Sequence, residues 1–333
     1  QNVHLSDLTA ANFYPNYPID GSELKGILIK GNNGNETLLG SGGADTIFGN
    51  EGNDSIDGMG GSDRLEGGLG DDTIYGNFGN DTLLGNSGND VLQDDQGSNI
   101  LDGGEGDDTL RASSLTGNQT MFGGIGNDNL TATGQVLSLS GDEGDDHLSV
   151  DGRLGSAYIQ HGTATVSGGD GNDYLYAVQE SSVLLRGDNN DDRLYVSTCK
   201  NATLEGGNGN DTLSGSVYGL NYGETLGLNY SLYGGNGEDN LYVDGYGYNW
   251  CGVTVLSLDG GEGNDVITLN ENSPQYPFAY ANLNGGGGND TLTASGVLNL
   301  TYTGGGGCDT FILTSQQYKT LGNTKISVSY THL

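Results

Sequence analysis

A nine-residue motif repeats without interruption from Gly31 to Arg111. A fixed short period of this kind commits a chain to stacking identical units rather than to closing one core. The unit is Gly-Gly-x-Gly-x-Asp-x-U-x, with U a large apolar residue. It is clear at Gly67-Gly68-Leu69-Gly70-Asp71-Asp72-Thr73-Ile74-Tyr75 and again at Gly206-Gly207-Asn208-Gly209-Asn210-Asp211-Thr212-Leu213-Ser214. Glycine admits left-handed backbone conformations, so the first six residues predict a tight turn. The last three predict a short strand with U pointing inward and its neighbours outward. Two units make one coil, and successive turns lie on opposite sides of it. The expected fold is all-β: a parallel β-roll, or β-solenoid, of about 14–15 coils.

Sorting the turns by side gives two rows. At their sixth position, the turns of one side carry Glu36, Asp54, Asp72, Asp90 and Asp108; those of the other carry Asp45, Asp63, Asp81 and Asn99. After Arg111 the motif recurs from Gly123, Gly141, Gly168, Gly187, Gly206, Gly234, Gly260, Gly285 and Gly304, separated by segments that lack it. If each coil still makes one full turn, every later motif falls on the first side. That row then continues through Asp128, Asp146, Asp173, Asp192, Asp211, Asp239, Asp265, Asp290 and Asp309, while the second side becomes a set of variable arcs. Leu139, Val166, Leu185, Leu204, Leu232, Leu258, Leu283 and Tyr302 stand two places before a turn and keep the inward stripe. The longer arcs hold Tyr218, Tyr222, Tyr230, Tyr246, Tyr248, Trp250, Tyr276, Phe278 and Tyr280. These aromatics either fill a wider coil or form a lateral contact or glycan-binding surface.

Forty-four acidic residues against ten basic ones give a net charge of −34, and 63 glycines leave too little apolar material for an ordinary core. Such a polymer repels itself unless cations neutralise it, which argues against nucleic acid as a partner. No apolar run is long enough to span a bilayer. Calcium suits the turns, because it takes six to eight oxygen ligands in tolerant geometry and accepts backbone carbonyls. Two glycine turns stacked about 4.8 Å apart would form a cage lined by carbonyls and by an Asp from each turn. Candidate carbonyls include those of Gly67, Leu69, Gly103, Glu105, Gly206, Asn208, Gly260, Glu262, Gly285 and Gly287. Glu36, Asn99, Asn189-Asn190 and Cys308 depart from the motif, and the Glu36 and Asn99 turns are the ones expected to lack a full ligand set. Fourteen turns on one side and four on the other leave about sixteen gaps. Sixteen calcium ions would bring roughly +32, close to cancelling the charge of the chain. A turn alone is half a site, so binding and folding should be one event. The expected affinity lies in the weak extracellular range, about 10⁻⁴–10⁻³ M per site.

From Gly31 to Ile312 the pattern resembles the RTX (repeats-in-toxin) family of secreted bacterial proteins, in particular surface proteins made almost only of repeats. The resemblance implies a parallel β-roll that folds on meeting calcium after export, at an extracellular or cell-surface location. In that family the repeats often trail an enzyme, toxin or adhesin domain. Here Gly-x-Ser-x-Gly and His-Glu-x-x-His are absent and His4, His147, His161 and His332 are scattered, so no catalysis is expected. The chain divides into a cap or assembly segment over 1–30, a two-row roll over 31–111, a one-row solenoid over 112–312 and a cap or assembly strand over 313–333. The leading expectation is a structural protein that self-associates head to tail or laterally into a layer, sheath or filament. The alternatives are an adhesin or glycan-binding module, and a calcium-folding tail of a secreted enzyme or toxin. Cys199 and Cys251 fall about two coils apart, roughly 9–10 Å, beyond comfortable disulfide reach. Cys308 sits inside a turn. The first residue is Gln1 rather than Met, consistent with a removed leader or a fragment.

Overall fold

The computed structural model describes residues 26–114, 116–152, 162–178, 180–218, 228–246, 255–271, 278–313 and 325–329. They belong to two compact units, Gln1–Leu148 and Ser149–Leu333. Among the described residues there is no helix. In each unit successive strands alternate between two parallel sheets. In the first unit, one sheet runs from Leu28–Lys30 through Thr46–Glu51, Arg64–Leu69 and Thr82–Ser87 to Val136–Glu143. The other runs from Thr37–Leu39 through Ser55–Asp57 and Thr73–Tyr75 to Asn129–Thr133. In the second unit the corresponding sheets run from Thr163–Asp170 to Lys325–Ser329 and from Tyr174–Val178 to Thr310–Leu313. Each unit is thus a parallel β-roll.

The register places U on U. Leu38, Ile56, Ile74, Leu92, Leu110 and Leu130 are successive partners in one sheet of the first unit. Ile47, Leu65, Leu83, Leu101, Met121 and Leu139 are partners in the other. All of them are buried. Side chains of this size contribute about 1.5–3 kcal/mol each when fully buried. The core is therefore a thin double file, in which each coil is stabilised mainly by its two neighbours. The inward stripe of the later coils holds as well: Val166, Leu185, Leu204, Leu232, Leu258, Leu283 and Tyr302 are all buried.

The two sheets are unequal, where the motif predicts a three-residue strand in every unit. In one sheet the first tandem strands, Thr37–Leu39, Ser55–Asp57 and Thr73–Tyr75, do have three residues. In the other they continue into the following turn, as in Arg64–Leu69, so that Gly68 pairs with Asn50 and Asn86. Glycine allows this: at Gly68 the chain is left-handed, with φ +125°, and a Cβ there would strike the Asn50 carbonyl of the preceding coil. Where glycine is missing from a left-handed turn position, Asn or Asp usually stands in, as at Asn50, Asn86, Asp142, Asp188 and Asn190. These side chains tolerate the left-handed region, so the Gly187 turn keeps its shape despite its departures from the motif.

Of the arc aromatics, Tyr230 and Phe278 are core residues, 1% exposed each, and Tyr280 is 51% exposed. Tyr230 occupies the register position of Ala202 in the preceding strand. Its ring fits because Gly215 leaves the space that a Cβ would fill, and its hydroxyl donates to the Ser216 carbonyl. The side chains of Tyr218, Tyr222, Tyr246, Tyr248, Trp250 and Tyr276 lie outside the described residues, as do Cys251 and the aromatic segment Phe13–Pro18.

Candidate metal centre

The sixth-position residues form continuous hydrogen-bonded files. In the first unit the backbone N–H of Glu36 donates to Asp54 Oδ1 at 2.7 Å, that of Asp54 to Asp72, Asp72 to Asp90, Asp90 to Asp108, Asp108 to Asp128 and Asp128 to Asp146. The second file of that unit runs from Ile27 to Asp45, Asp63, Asp81 and Asn99. In the second unit one file connects Asp173, Asp192, Asp211, Asp239, Asp265, Asp290 and Asp309. Within each unit the structure therefore aligns the sixth-position residues in the order the sequence sorting gives.

One carboxylate oxygen is consumed by this ladder and the other is not. Oδ2 of Asp54, Asp63, Asp72, Asp81, Asp90, Asp108, Asp128, Asp192, Asp211, Asp239, Asp265 and Asp290 is buried with no hydrogen-bond donor. Each of these residues is almost wholly buried. A buried anion without a donor is strongly unfavourable unless a cation or a proton neutralises it. The same oxygens face the first glycine of their own turn, and in most of these gaps the first carbonyl of the next turn converges on that point. A Cβ on Gly206 would strike both Asp211 Oδ2 and the Gly234 carbonyl; Gly85, Gly103, Gly123, Gly187, Gly234, Gly260 and Gly285 repeat the arrangement. Among the described residues no three His, Cys, Asp or Glu side chains converge. A cation in these gaps therefore depends on carbonyls as much as on carboxylates. An all-oxygen donor set of this kind fits calcium.

The file ends differ. Both oxygens of Asp45 are already partnered, Oδ1 by the Ile27 N–H and the Ser41 hydroxyl, Oδ2 by the Ser41 N–H. Glu36 Oε2 accepts the Asn32 N–H. Asp309 is only partly buried, and Cys308 beside it is exposed. Cys199 is buried, with its sulfur 3.7 Å from the Ser197 carbonyl.

Several features escape the motif reading. Fifth-position side chains form a second ladder of opposite sense: the Asp71 N–H donates to Asn53 Oδ1, Asn89 to Asp71, Asp107 to Asn89 and Asn127 to Asp107. The recurrence of Asn or Asp at that position is its sequence signal. Asp94 and Glu180 are buried carboxylates outside the sixth position, and only their environment reveals them.

Burial raises the carboxyl pKa of Asp72, Asp128, Asp211 and Asp265 to about 6. It raises those of Asp63, Asp90, Asp108 and Asp239 to about 7 and that of Asp192 to about 8. The ladder N–H opposes this shift and neighbouring carboxylates reinforce it. Without metal, the folded chain holds protons that the unfolded chain, with carboxyls near 3.8, releases. Stability of the metal-free roll therefore falls as pH rises from about 4 to about 8. Calcium-stripped protein should show more β-sheet circular dichroism at pH 5 than at pH 8, whereas calcium should favour the sheet most at the higher pH. The reverse order in stripped protein would show that the buried carboxylates do not control folding.

Parallel rolls with buried carboxylates and inward carbonyls between glycine turns define a class of proteins whose turns suit hard divalent cations. The family model described as RTX calcium-binding nonapeptide repeat (4 copies) matches residues 30–65, 57–92, 84–114, 114–135, 162–177, 201–216, 257–272 and 282–296, together half of the chain. The chain belongs to that family and binds calcium. No curated protein and no solved structure gives a significant match.

Proposed function

We propose that the chain is an extracellular structural protein, rigidified by about sixteen calcium ions, that self-assembles into a surface layer, sheath or filament. The observation that carries this reading is the file of buried, donor-free Asp Oδ2 atoms facing carbonyls of the next turn. The interior gaps have the donors for a calcium ion, and the Asp residues whose Oδ2 has no donor from the chain are its carboxylate ligands. Weak sites of this sort fill at extracellular calcium levels, about 10⁻⁴–10⁻³ M. Bacterial secretion and the absence of catalysis belong to the same reading, as does the division into 1–30, 31–111, 112–312 and 313–333.

Self-association is supported by the sheet ends. Among the described residues Leu28–Lys30 pairs only with Thr46–Glu51, and Lys325–Ser329 only with Val297–Gly306. A parallel strand edge that the chain leaves uncovered is a template for another chain. Sedimentation velocity and negative-stain electron microscopy of the full chain test this. Millimolar calcium should give large ordered assemblies that a chelator dissolves; a monodisperse monomer in calcium would sink the assembly reading.

A further inference from the structure

The second file of the first unit ends at a turn that has lost both motif features: Asp94 replaces the first glycine and Asn99 the sixth-position aspartate. Asn99 has little to offer a cation. Its Oδ1 accepts the Asp81 N–H at 3.0 Å, and its Nδ2 donates to the Gln96 carbonyl at 3.1 Å. Asp94, in contrast, is 0% exposed. Its Oδ1 is held by the Gln96 N–H at 3.1 Å. This short turn aims Oδ2 back toward the preceding coil. There a Cβ on Gly76 would strike Asp94 Oδ2 and lie 2.9 Å from Asp81 Oδ2. At Gly40 and Gly49 the place of Asp94 Oδ2 is taken by the first carbonyl of the next turn, from Gly58 and Gly67. Neither Asp94 Oδ2 nor Asp81 Oδ2 has a hydrogen-bond donor.

Resting on the calcium reading of the rows, we propose that the gap between the Gly76 and Asp94 turns is a calcium site of its own kind, in which Asp94 is the second carboxylate ligand. A carboxylate has moved from the sixth position of the turn to the first, and the file closes on a charged residue rather than on an amide. Two facing carboxylates within a buried gap repel one another, and a divalent cation between them converts that repulsion into attraction from both sides. Because Asp94 reaches from the first position, the gap needs no aspartate at 99.

Native mass spectrometry of the full chain in calcium counts bound ions directly. Asp94→Asn and Asp94→Gly should each bind one ion fewer than the parent. The double variant Asp94→Gly, Asn99→Asp, which rebuilds the regular motif, should regain it. Asp90→Asn, in the other file, reports on the rows themselves. If both Asp94 variants keep the parental count while Asp90→Asn loses ions, the Asp94 site is wrong and the row reading stands. If Asp90→Asn also keeps the parental count, the row reading fails with it. A double variant that stays one ion short would likewise overturn the proposed exchange of ligand positions.

Discussion

Stripped of calcium at pH 8, the full chain is expected to lose its β-sheet circular dichroism and expand to a radius of gyration of about 65 Å, the size of an unfolded chain of this length. Return to millimolar calcium should restore both. A net charge of −34 and files of buried, donor-free carboxylates oppose compaction, and the apolar core that favours it is little more than a thin double file of U residues. The apolar gain per coil is small against the cost of ordering its backbone, about 1–2 kcal/mol per residue. Cation binding must therefore supply the difference, and metal uptake and folding coincide. Small-angle X-ray scattering with and without chelator measures the effect. A scattering curve unchanged by calcium removal would mean that hydrophobic and hydrogen-bonded contacts alone hold the roll.

The second large effect contrasts two aspartates that look alike in sequence. Asp90→Asn keeps an oxygen for the Asp72 N–H but removes a buried, donor-free charge, which on the proposed calcium reading serves the gaps on either side. Loss of a charge-assisted contact in two gaps should cost about 3–6 kcal/mol of stability in calcium. Asp45→Asn stands at a file end where both carboxylate oxygens already have donors from the chain. Its cost should stay below about 1 kcal/mol, the scale of an ordinary net hydrogen bond. Urea unfolding at fixed calcium gives both values. Equal losses would show that the interior oxygens are no more committed to a cation than the capped ones.

The period made most of this architecture legible. A strand residue that recurs every nine positions has one place to go, and Leu38, Ile56, Ile74 and Leu92 go there in register. The order of the Asp files follows from the same count. Strand length was not legible: Gly67-Gly68-Leu69 reads as turn by propensity, yet pairs as strand because neighbouring coils offer matching backbone. Asp94 was not legible either. It departs from the motif at the first position, and only its burial and the approach of its Oδ2 to that of Asp81 single it out. The fit of Tyr230 over Gly215 depends on residues from different strands, so no local pattern carries it.

The two opposed ladders have a consequence for how such a chain changes length. Each turn offers its sixth-position N–H forward and its fifth-position N–H backward, to acceptors 18 residues away in the tandem block. Excising one eighteen-residue period there, or duplicating one, joins donors to equivalent acceptors and U to U. The tandem block is therefore a ruler with whole-coil graduations, whose span can drift by duplication without a new junction being designed. The coils of the second unit, spaced by 19 to 28 residues, have lost that interchangeability, and their length is fixed by the arcs they carry.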